Sequence, residues 1–256
     1  MAEFKYWHDE NDGWTFSSQT RIGFNKCDAN GKLQIYELLA LTSDVAVTDF
    51  WLRGMDYKFL AEKGVALLVS RVSYRIIRMP CENEFITVKT WEEKNRGLQF
   101  VRKYSILDEN GAELINADTT WLYVDVNSRR IIPAAKFDMR PQPTKSTELK
   151  SLEAGKIKIP ENMQLLENRL MRFSDVDPNG HINNSRYGVF AYDVLPGEIQ
   201  KRTLTDFRLN YAKEAHLGDT LEILGSIEDL SEGKKHTVIV GKNKGETSFE
   251  CEMFFD

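Results

Sequence analysis

"FSDVDPNGHINNSRYG" (173–188) is the stretch on which the fold turns. Asp175, Asp177, Asn179, His181, Asn183 and Asn184 crowd ten of its residues, between the apolar run Leu165, Leu166, Leu170, Met171, Phe173 and a second, "YGVFAYDVL" (187–195). Polar density of this kind marks a turn, and Asn-Gly is a turn dipeptide. An earlier stretch, "FNKCDANGKLQIYELL" (24–39), lies over it without a gap at an offset of 149 residues: Phe24 meets Phe173, Asp28 meets Asp177, and Asn30-Gly31 meets Asn179-Gly180. Each copy runs into apolar residues at helical spacing. These are Leu38, Leu39, Leu41, Val45, Val47 and Phe50 in the first, and Tyr187, Val189, Phe190, Val194 and Leu195 in the second.

The repeat continues beyond the helices. "LLVSRVSYRIIRMPCENEFITVKTW" (67–91) resembles "LTDFRLNYAKEAHLGDTLEILGSI" (204–227), with Glu84 over Asp219 at an offset of 135. The drop in offset makes the first helical region about 14 residues longer. Period-2 stretches follow, broken at Glu109-Asn110-Gly111 and Asn243-Lys244-Gly245, which predicts hairpins. Between the copies, 136–162 holds three of the seven prolines, much charge and little periodicity, as a linker does. The expected organisation is two tandem α+β domains, 1–137 and 161–256, joined by 138–160.

Composition narrows the function. The chain has 256 residues, 41 % hydrophobic and 29 % charged, enough for a sizeable core. A net charge of −5 and the absence of a basic stripe argue against nucleic acid. No apolar run approaches the length of a membrane span and no signal core opens the chain, so a cytoplasmic protein without membrane insertion is expected. Cys27, Cys81 and Cys251 are odd in number and widely spaced, which predicts reduced thiols and no zinc site. There is no G-x-S-x-G, no phosphate-cradling Gly-rich loop and no H-E-x-x-H, so neither a metal nor a cofactor is expected. Of the four histidines, His8 lies near the terminus, His236 enters a strand and His216 sits in a loop ahead of one. Only His181 stands inside a cluster of potential partners.

A helix against an antiparallel sheet, duplicated, with D-x-N-x-H at the head of the second helix, resembles the hotdog fold, and more specifically the acyl-ACP thioesterases of plants and bacteria. The resemblance is carried by "DPNGHINNSRY" (177–187), "NYAKEAHLGD" (210–219), "RMPCENEFITVKTW" (78–91) and "ADTTWLYVDVNSRRIIP" (117–133), and covers nearly the whole chain. It implies two tandem hotdog domains, each a long helix wrapped by an antiparallel sheet. The functional positions it implies are Asp177, Asn179, His181 and Glu214. Some plant members carry a cysteine after that glutamate; here the residue is Ala215, which leaves no such nucleophile. The resemblance assigns the acyl pocket to the first domain, with Leu38, Leu41, Val45, Phe50, Leu68 and Trp121 as lining, and the catalytic residues to the second. The implied substrate partner is acyl carrier protein, bearing its acyl-phosphopantetheine. A homodimer of the chain is left open.

The duplication is its own control. Lys32 stands where the second copy has His181, and Arg78 or Met79 where it has Glu214. Base-competent residues occur only in the second copy, so one site is expected. An imidazole exchanges protons near neutrality, a carboxylate can activate water, and a helix N-terminus stabilises an oxyanion. The expected activity is hydrolysis of acyl-ACP to free fatty acid and holo-ACP. Its rivals are a hotdog acyl-CoA thioesterase, a non-catalytic acyl-binding protein and a hotdog dehydratase.

Overall fold

The computed structural model describes residues 5–256. Two compact units divide the chain. One runs to Leu33 and resumes over Ala40–Ala154; the other holds Gln34–Leu39 and Gly155–Asp256.

The first unit contains β1 (Lys5–His8), β2 (Phe16–Arg21), β3 (Val65–Ile76), β4 (Phe85–Arg96), β5 (Gln99–Leu107), β6 (Glu113–Asp125) and β7 (Arg130–Ile132). They pair antiparallel in the order β1-β2-β4-β5-β6-β3, with β7 on β6. The helix α1 (Ile35–Leu52) and the short α2 (Tyr57–Glu62) precede β3. The α1 positions Ile35, Leu38, Leu39, Thr42, Val45, Ala46 and Asp49 are buried. This is the spacing of one helical face. Val47, one of the apolar residues of the sequence pattern, falls off that face and is exposed.

The second unit contains β8 (Gln164–Leu170), α3 (Asn184–Asp193), α4 (Gly197–Gln200), β9 (Leu204–Tyr211), β10 (Thr220–Asp229), β11 (Lys235–Asn243) and β12 (Glu246–Phe255). Its antiparallel order is β9-β12-β11-β10-β8. Read from the strand before the helix, both sheets follow one plan: β2-β4-β5-β6-β3 and β8-β10-β11-β12-β9. Even the register repeats, since Thr87 faces Leu107 and Glu222 faces Lys242, each 135 positions on. The architecture is α+β.

The second helix is only 10 residues long. Pro196 ends it, because proline offers no N–H and disfavours a helical residue before it; a one-turn α4 follows. Gly188 on α3 lies so close to its neighbours that a Cβ would stand 2.5 Å from Leu39 Cδ1 and 3.6 Å from Phe207.

The aperiodic stretch after Phe137 is bound rather than loose. The Lys94 N–H donates to Lys145 O (2.9 Å), the Thr147 N–H to Glu93 (2.8 Å), Lys103 Nζ to Thr147 O (2.7 Å), and the Ala154 N–H to Asp118 (3.1 Å). These bonds explain why Glu93, Lys103 and Asp118 are buried although they carry charge. No helix among the described residues is long and apolar enough to cross a membrane.

Candidate active site

The motif turn is built by one carboxylate. Asp177 Oδ1 accepts the N–H groups of Asn179 (2.8 Å) and His181 (3.4 Å), while the Asp177 N–H donates to His181 O (2.8 Å). Gly180 sits at φ +82°, a conformation that favours glycine, and its N–H returns to Asp177 O. The first unit repeats this frame: Asp28 Oδ1 accepts from Asn30 (2.8 Å) and Lys32 (3.1 Å), and its N–H donates to Lys32 O (2.8 Å). Each turn is then clamped to a second loop. Ile182 N–H donates to Ala215 O at 2.9 Å and Leu33 N–H to Pro80 O at 2.8 Å. His181 pairs with His216 as Lys32 pairs with Cys81.

Onto this frame the second unit places its chemistry. His181 Nδ1 lies 3.4 Å from Glu214 Oε1, with both side chains open to solvent. Asn179 is exposed, and its amide has no partner among the described residues. Asp177 uses its Oδ1 to hold the turn. His181 does not head the helix, as the sequence reading has it. Asn183 is the N-cap, its Oδ1 accepting from the Ser185 N–H (3.0 Å) and Ser185 Oγ (2.7 Å), and His181 lies two residues earlier in the strand-like pair. The reason is chemical: asparagine caps a helix well and histidine does not.

The Glu214 loop is held from beneath. The Ala215 N–H donates to Tyr187 Oη at 3.3 Å, and Tyr187 is buried against Phe249, its ring centroid 5.2 Å away. Burial pushes the Tyr187 phenol above its usual range. On the far side, Asp219 accepts the His216 N–H (3.0 Å) and bonds from Asn243 and Lys244. The His216 N–H and these side chains hold its carboxyl below the usual range.

Two family models match the chain: the acyl-ACP thioesterase N-terminal domain over residues 13–137 and the C-terminal domain over 160–256. The chain belongs to the acyl-ACP thioesterase family. Among curated relatives, a chloroplastic acyl-carrier-protein hydrolase of Cuphea viscosissima (FATB2) is 24 % identical over 176 residues, which is 65 % of this chain and 42 % of the relative. A chloroplastic palmitoyl-acyl carrier protein thioesterase of Arabidopsis thaliana is 23 % identical over 184 residues, 69 % of this chain and 45 % of the relative. The chain thus spans under half the length of these two relatives. An acyl-ACP thioesterase from Bacteroides thetaiotaomicron superposes with a TM-score of 0.77 at 24 % identity, covering 94 % of this chain and 98 % of that one. A 12:0-ACP thioesterase from Umbellularia californica gives 0.83 at 15 % identity, with 94 % of each chain covered. The fold of this acyl-ACP thioesterase family member is therefore the tandem hotdog.

This family member places the expected lining residues unevenly, with Leu38 in the second unit and the other five in the first. Leu38 and Val45 are buried, and Leu41 is half-buried. Phe50 and Trp121 pack against one cluster of Met55, Val65, Phe100, Tyr123, Ala134 and Phe137. Leu67 joins that cluster, whereas Leu68, on the opposite face of β3, is 44 % exposed. Beside Phe50 lies a group with no apolar signature. Asp49 is buried and meets Arg102 (2.9 Å), Arg53 (2.7 Å) and His8 (2.8 Å), and Arg102 stacks over the Phe50 ring at 5.2 Å.

His216 is the residue that the sequence reading set aside. Its ring centroid is 5.1 Å from that of His181, edge to face. The signal was present in the repeat, since Cys81 and His216 hold corresponding places at the offset of 135 and the bridge partners lie 49 and 35 positions apart. Among the described residues, His181, Glu214 and His216 also form a group able to hold a metal ion, with one donor atom from each within 4.8 Å of the others.

Proposed function

We propose that this chain hydrolyses the acyl thioester of acyl carrier protein, releasing free fatty acid and holo-ACP. The observation that carries the reading is the His181–Glu214 pair, 3.4 Å apart, in a chain of the acyl-ACP thioesterase family. Glu214 takes a proton from water as the water oxygen bonds to the thioester carbon. His181 and Asn179 face the carbonyl oxygen as charge develops there. Collapse of the tetrahedral species breaks the C–S bond, and the thiolate leaves with a proton returned from the pair. Asp177 keeps the turn in shape and contributes no proton. Within 1–137, the cluster around Phe50 and Trp121, with Leu38, Leu41, Val45 and Leu68, is the proposed acyl-chain lining. The buried charges of Asp49 and Arg102 set an apolar limit there, since burying an alkyl end against an ion pair returns little hydrophobic energy. The proposed domain roles are therefore acyl binding by 1–137 and chemistry by 161–256, in the cytoplasm.

The test is a hydrolysis panel over acyl-ACPs of graded length, with the same acyl groups on CoA and with 3-hydroxyacyl thioesters. Release of fatty acid from acyl-ACP at a higher kcat/KM than from acyl-CoA is expected. A preference for CoA would move the partner, and loss of water from the 3-hydroxyacyl substrate would replace hydrolysis by dehydration.

A further inference from the structure

The donors of His181, Glu214 and His216 converge on one small volume at the surface of the second unit. We propose that they form a binding site for a divalent transition-metal ion of the zinc class, and that occupation of this site switches hydrolysis off. Two imidazoles and one carboxylate suit Zn2+, Co2+, Ni2+ or Cu2+ and not Mg2+ or Ca2+, which seek oxygen cages. Zinc binds nitrogen and oxygen at about 2.0–2.2 Å, so tetrahedral ligands stand about 3.3 Å apart. His181 Nδ1 and Glu214 Oε1 already stand at 3.4 Å. The third donor needs only the rotation of an exposed side chain, because His216 and Glu214 both face solvent.

The frame beneath the donors is rigid where a metal site needs it. His216 is bridged to His181 through the backbone, the loop between is tied by Ile182 N–H to Ala215 O, and Asp219 holds the His216 N–H. Asp219 engages only the backbone of His216, which leaves the imidazole free for a ligand. The fold does not demand this donor set. The same frame in the first unit carries Lys32, Met79 and Cys81, of which only the thiol is a strong zinc donor. The histidine at 216 is therefore a property of this side of the duplication alone.

Inhibition follows from which lone pairs the ion would take. A metal bound to His181 Nδ1 and the Glu214 carboxylate occupies the atoms that the proposed hydrolysis uses to move protons. This half of the inference rests on that reading; binding itself does not. The experiment uses the full chain carrying Cys81→Ser, which removes an exposed thiol that would compete for the ion. Co2+ is titrated by visible absorbance, with and without His216→Ala, and Zn2+ is titrated into the acyl-ACP assay with EDTA reversal. One Co2+ per chain with a nitrogen–oxygen spectrum is expected. His216→Ala should weaken binding by at least about tenfold and raise the Zn2+ needed for half-inhibition by the same factor, each protein measured against its own metal-free rate. Absent Co2+ binding, or binding indifferent to His216→Ala, overturns the site. Zn2+ that binds without slowing turnover, or that speeds it, overturns the switch. A chain that hydrolyses no thioester sinks the hydrolase reading, while the Co2+ titration still judges the site.

Discussion

Glu214 serves the proposed chemistry only as a carboxylate, so Glu214→Gln separates size from charge. Steady-state kinetics should show kcat falling with KM nearly unchanged, the pattern of an interaction used in the transition state. His181→Ala should lower kcat by about 10²-fold or more in a folded protein, because the turn is held by the His181 backbone and not by its ring. Wild-type turnover in either variant removes that residue from the mechanism. His236 gives a residue-scale prediction of another kind. Its hydrogen bond to Glu252 (3.0 Å) raises its pKa above the ordinary value, so the folded state favours the charged imidazole. That contribution is complete below about pH 6.5 and is lost as pH rises through the higher folded value. Denaturant titrations of His236→Gln against the parent should differ most at pH 6 and converge in alkali. At this scale the sequence was informative about His181, whose neighbours advertise a turn. His216 was legible only through the repeat, as the counterpart of Cys81, because its partner lies 35 positions away across a bridge that no local pattern encodes.

Helix α1 shows what periodicity reports and what it misses. Its apolar spacing located the helix, yet its buried face includes Asp49, which a hydrophobic pattern cannot flag. Burial alone would raise the Asp49 carboxyl, but Arg102 and Arg53 outweigh it and hold the group below its ordinary range. The stabilisation is therefore present above about pH 4 and is lost as pH falls through the lowered folded value. Asp49→Ala leaves the buried Arg102 guanidinium with only the more distant Glu92 carboxylate, 3.8 Å away, as its ionic partner. It should cost about 3–5 kcal/mol by chemical denaturation at pH 7. Hairpin β11–β12 makes a second element-scale prediction. A Cβ on Gly241 would stand 2.1 Å from the buried ring of Phe249, which in turn packs on Tyr187 beneath the Glu214 loop. Gly241→Ala should lower both the melting temperature and kcat, by displacing Phe249 and Tyr187 together. A loss of stability with full activity would show that the loop does not depend on that support.

Across the whole molecule the duplication was the most legible feature, because Asn-Gly turns and strand alternation survive as local chemistry while most side chains differ. Less legible was the stretch from 138 onward, whose charge and prolines read as a free linker. Its anchors, Glu93, Lys103 and Asp118, sit on distant strands, and only the folded sheet brings them to it. The two turn frames carry one consequence further. Their hydrogen bonds run almost wholly through backbone and a single aspartate, so the residues they display are interchangeable cargo. The turn of the first unit is thus a spare socket, whose displayed residues can be exchanged without rebuilding the chain. Lys32→His with Met79→Glu should change folding stability by no more than about 0.5 kcal/mol, as for partly exposed sites outside any network. A protein that tolerates this exchange has, in its own sequence, room for a second working centre.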